Sequence, residues 1–119
     1  MSLLANAVAA LLGLLHIYIL VLEMFLWEKP IGLRTFRQTP ESARASRVLA
    51  ANQGLYNGFL AAGLLWGVWL GPAGEGVKLF FLGCVLVAGL YGAATVGRKI
   101  LWVQAVPALL GIALVLLAR

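Results

Sequence analysis

Glu23 is the residue around which chemistry could be organised. It is the only acid in Leu3–Trp27, a stretch otherwise apolar except for Asn6, His16 and Tyr18. An ionised carboxylate inside a bilayer costs about 2.5–3.5 kcal/mol or more unless it is paired or hydrated. Its partners therefore decide its use. His16 lies on the same helical stripe, two turns earlier, but about 10.5 Å away along the axis. That separation argues against a metal site built from this pair, and no metal or cofactor is expected. A cation-binding acid, or a proton relay through Tyr and Asn, fits the spacing better. The plainer readings are a structural hydrogen bond for Glu23 and a satisfied core position for His16.

A second constellation lies in Leu49–Leu64, where Asn52, Gln53, Tyr56 and Asn57 interrupt an apolar run. At about 100° per residue from Asn52, Tyr56 lies about 40° round a helix, Gln53 about 100° and Asn57 about 140°. Gly54, Gly58 and Ala62 fall beside this polar arc, at about 200°, 240° and 280°. The arc needs partners or water, while the small stripe admits a second backbone at close range. Interhelical hydrogen bonding explains such an arc as simply as ligand binding does.

Four helices are expected to carry these groups, over about residues 3–27, 40–70, 77–96 and 100–118. The first is long enough to span about 30 Å of hydrocarbon with some tilt, and it lacks the basic start of a signal peptide. Lys29-Pro30-Ile31-Gly32 should break it. Thr39-Pro40-Glu41 reads as a helix start, with Thr at the N-cap, Pro at N1 and an acid in the first turn. A helix from Pro40 to Leu70 would be about 46 Å long, so its first turns should project into the interface. There Arg44 and Arg47 would meet lipid headgroups. Lys78 should snorkel at the start of the third helix. Gly89, Ala93 and Gly97 form another small stripe, and Pro107 should kink the fourth helix.

The composition excludes most soluble classes. The chain is 63% hydrophobic and 11% charged, against about 45–50% and 25% in soluble domains. One integral membrane domain, 1–119, is the expected fold: an all-α, four-helix transmembrane bundle. The net charge of +5 is a topology signal rather than a nucleic-acid signal. Lys29, Arg34, Arg37, Arg44, Arg47, Arg98 and Lys99 flank one side, and only Lys78 and Arg119 the other. The positive-inside rule then places both termini outside the bacterial cytoplasmic membrane. At matched depth, Glu23, Asn52, Gln53, Tyr56, Tyr91, Thr95 and Gln104 would all lie in the cytoplasmic half, with His16 and Asn57 deeper. Such convergence implies a polar pocket facing the cytoplasm.

His16-x-Tyr18-x-x-Val-Leu-Glu23-Met-x-Leu-Trp27, Thr39-Pro40-Glu41 and Ala51-Asn-Gln-Gly-Leu-Tyr-Asn-Gly58 together resemble a bacterial family of small four-helix membrane proteins, domain of unknown function 1304. The resemblance covers essentially the whole chain. It implies the fold and the membrane location, and no activity. A looser similarity joins the chain to the small multidrug resistance transporters, through length, four helices, one acid in the first helix and Pro107-Ala-Leu-Leu-Gly111. The basic loop and the Asn-Gln-Tyr-Asn arc depart from those transporters. Three functions follow as candidates. One is binding or transport of a small cation, proton or polar ligand at Glu23. The second is a membrane enzyme acting on a lipid-like substrate, with Glu23 or His16 as base; no nucleophile–base spacing, metal motif or phosphate loop accompanies it. The third is a structural or assembly protein. Membrane lipids and a second copy of the chain, in a dimer, are the expected partners.

Overall fold

The computed structural model describes residues 1–119, which are helical nearly throughout and contain no strand. The first helix, α1, is Ser2–Met24. It stops short of the predicted Trp27 because the backbone N–H groups of Phe25 and Leu26 both turn back to the Val21 carbonyl, at 3.0 and 3.1 Å. This turn frees the Trp27 indole, whose Nε1 donates to the Ala43 carbonyl at 3.0 Å. Its ring packs on Phe36 with centroids 5.0 Å apart.

The stretch expected only to break the first helix also starts another one. Pro30 opens a short helix, α2 (Pro30–Phe36), with Lys29 as an extended N-cap. Proline suits this place because its fixed φ is helical and its missing N–H would be unpaired anyway. Gly32 is obligatory here, since a Cβ would collide with the carbonyls of Leu26 and Trp27. The helix ends at Arg37, a non-glycine residue at φ 53°, whose N–H bonds the Leu33 carbonyl.

The third helix, α3, is Pro40–Trp69, as expected to within one residue. Its start is a reciprocal capping box: Ser42 N–H donates to Thr39 Oγ1 at 3.1 Å, and Thr39 N–H donates to Ser42 Oγ at 3.0 Å. A 3-10 turn, Gly71–Gly74, leads into α4, Glu75–Thr95. The last predicted helix is in fact two pieces, a π-helical turn Leu101–Ala105 and α5, Val106–Leu117. Pro107 has no N–H to offer the carbonyl four residues back, and the chain takes its wider turns just before that position. A Cβ on Gly89 would come within 2.7 Å of the Ala105 backbone nitrogen, so glycine lets α4 approach this turn.

The chain divides into two compact units, one of Met1–Leu14 with Leu60–Arg119, the other of Leu15–Phe59. The first has an apolar core that includes Leu12, Leu64, Leu82, Val85 and Ala108, all buried. At one of its ends the starts of α1 and α4 meet the end of α5. Lys78 Nζ donates to Asn6 Oδ1 at 2.8 Å, and Arg119 pairs with Glu75. Lys78 therefore does not snorkel. It is only 6% exposed, because an amide acceptor inside the fold replaces water.

Two stretches, Ser2–Met24 and Gly71–Thr95, are long and apolar enough to cross a membrane. Leu101–Leu117 is apolar but shorter, and α3 is diluted by its Asn, Gln and Tyr side chains. Of the four expected spans, two thus meet the condition of length and hydropathy. Their side chains are mostly not used internally, with 33% and 22% of the most apolar windows buried.

Candidate functional site

The Leu15–Phe59 unit holds Glu23 and its partner. Here α1 and α3 run antiparallel: Trp27 meets Ala43, Glu23 meets Gly54 and Asn57, and Leu20 meets Gly58. The stripe of small residues makes this approach possible. A Cβ on Gly54 would lie 2.7 Å from Met24 Cγ and 3.0 Å from Glu23 Cβ, and one on Gly58 would lie 2.7 Å from Leu20 Cδ1. With both backbones this close, the short Asn57 side chain spans the gap. Its Nδ2 donates to Glu23 Oε1 at 2.6 Å. Donation to a carboxylate is among the stronger neutral-to-charged hydrogen bonds. Glu23 is 5% exposed.

Glu23 also lines a cleft of about 580 Å³, shared with Met24, Phe25, Trp27, Val48 and Ala51 and with the polar Glu28, Lys29, Arg47 and Asn52. The volume lies in the range of small-molecule sites. The rim carries charge of both signs. Arg47 Nη1 stands 3.8 Å from Glu28 Oε1, and both side chains are substantially exposed. An ion pair of that length in solvent contributes little. Glu23 contributes to this lining, while the amide that holds its carboxyl, Asn57, does not.

The other sequence-derived candidates fall as follows. Asn52 reaches the cleft but gives its Nδ2 to the Val48 carbonyl of its own helix at 2.8 Å. Gln53 and Tyr56 are exposed, and the Tyr56 ring packs edge-on to Phe59. His16 is buried. In the other unit Tyr91 and Thr95 are exposed, with Thr95 Oγ1 donating to the Tyr91 carbonyl, and Gln104 is half-buried. Arg44 and Arg47 are exposed. From the polar arc, then, it is Asn57, expected to lie deeper, that meets the acid.

Sequence reasoning missed Glu28 and Lys29 as cleft residues and Asn6 with Lys78 as a buried pair. The position of Glu28 and Lys29 directly after Trp27 was the available signal. No three His, Cys, Asp or Glu side chains come together in a way that could hold a metal ion.

An all-helical chain with two membrane-length apolar stretches and an acid that is held by an amide and lines a cleft defines a small helical protein with a buried carboxyl group. It belongs to the DUF1304 family, described as protein of unknown function, whose profile matches residues 10–116. The chain is 35% identical over 107 residues to the uncharacterized protein YpaA of Lactococcus lactis subsp. lactis (strain IL1403), covering 87% of this chain and 89% of that protein. No solved structure matches it.

Proposed function

We propose that this chain is a four-helix protein of the bacterial cytoplasmic membrane that binds a small cationic or polar ligand at Glu23, entering from the cytoplasmic side. In this reading α1, α3, α4 and Leu101–Leu117 cross the bilayer with both termini outside. Support for the membrane comes from the two apolar stretches whose side chains are mostly unburied, since a soluble core helix would bury most of its apolar surface. The meeting of Asn6 with Lys78 and of Arg119 with Glu75 supports termini on one side. Arg44 and Arg47 would face anionic headgroups. Apolar side chains left exposed on α4, among them Phe80, Val87 and Leu90, support a dimer or lipid contact.

The observation that carries the ligand reading is the placement of Glu23, buried yet lining a cleft, with a neutral amide as its hydrogen-bond partner and no basic residue paired to it. A carboxylate so placed attracts a cation of the cleft's size. Titration of the purified protein with ethylammonium, followed by isothermal calorimetry, tests it. Binding that weakens about tenfold or more in Glu23→Gln supports the reading, given about 1.5–3 kcal/mol for a charge-assisted hydrogen bond. Equal binding by parent and variant would refute it.

A structural role for the same pair is favoured by one observation, the short 2.6 Å bond between Asn57 and Glu23 across two helices. On that reading Glu23→Leu destabilises the fold and no probe binds.

A further inference from the structure

We draw no further inference here: the strongest candidate, the apolar groove that Leu79, Phe80, Gly83, Cys84, Val87 and Tyr91 form on the exposed face of α4, carries none, because nothing in the structure shows whether lipid, a second copy of the chain or another partner covers it.

Discussion

Gly54 is pressed against the stem of Glu23. A Cβ placed at Gly54 would sit 3.0 Å from the Glu23 Cβ and 2.7 Å from Met24 Cγ. The acid and its amide therefore depend on a missing side chain three residues before Asn57. Overpacking of this kind costs about 1–3 kcal/mol. Gly54→Leu should lower the thermal midpoint of the purified protein and, by parting α1 from α3, abolish ethylammonium binding. A Gly54→Leu variant that melts and binds like the parent would show that the close approach is unimportant.

Glu23 and Asn57 should respond differently to different substitutions. Glu23→Gln keeps an oxygen for the Asn57 amide, so folding should be retained while the charge is lost. Glu23→Leu leaves that amide without its acceptor in a half-buried place, which costs about 1–3 kcal/mol. Thermal denaturation in the same detergent should rank the parent and Glu23→Gln together, with Glu23→Leu below them.

The Lys78–Asn6 bond supplies a second test, in the other unit. Lys78 is 6% exposed and is held by a neutral amide at 2.8 Å. Removing only the acceptor, in Asn6→Leu, should be strongly destabilising because it strands a buried ammonium. Replacing both groups by apolar ones, Asn6→Leu with Lys78→Met, should restore much of the loss. A double variant less stable than Asn6→Leu alone would mean that Lys78 has partners beyond Asn6.

Topology can be read with a reporter active only outside the cytoplasm. Fused after Arg119, it should be active, since on the proposed four-span topology seven of the nine Lys and Arg fall on the opposite side. An inactive fusion, with an active one placed in the Glu28–Arg47 segment, would reverse the orientation.

The helical content was legible because apolar runs were long and their stops were chemically explicit. Thr39-Pro40 announced α3 and formed the expected cap. The small α2 was not legible, because Pro30 reads equally as a helix breaker and as a first helical residue. The split near Pro107 was half visible: proline implied a distortion, but not that π turns ahead of it would absorb the distortion. In the site, the acid and the polar arc stood out from their apolar surroundings. Which amide meets the acid depends on interhelical register, set by Gly54 and Gly58 against Leu20 and Met24, and spacing along one helix does not report it. Lys78 was misread because position near a helix start suggests water, whereas Asn6 supplies the acceptor from another helix.

The central claim is that Glu23 is a carboxylate reachable by a cationic ligand through the cleft. Dicyclohexylcarbodiimide, an apolar reagent that modifies carboxyl groups, tests it directly when the labelled peptide is found by mass spectrometry. The account predicts modification at Glu23, reduced by added tetramethylammonium, a cation with no nucleophilic nitrogen, and absent in Glu23→Gln. Glu23 left unmodified while Glu28 and Glu75 react, or modified to the same extent at every tetramethylammonium concentration, would contradict it.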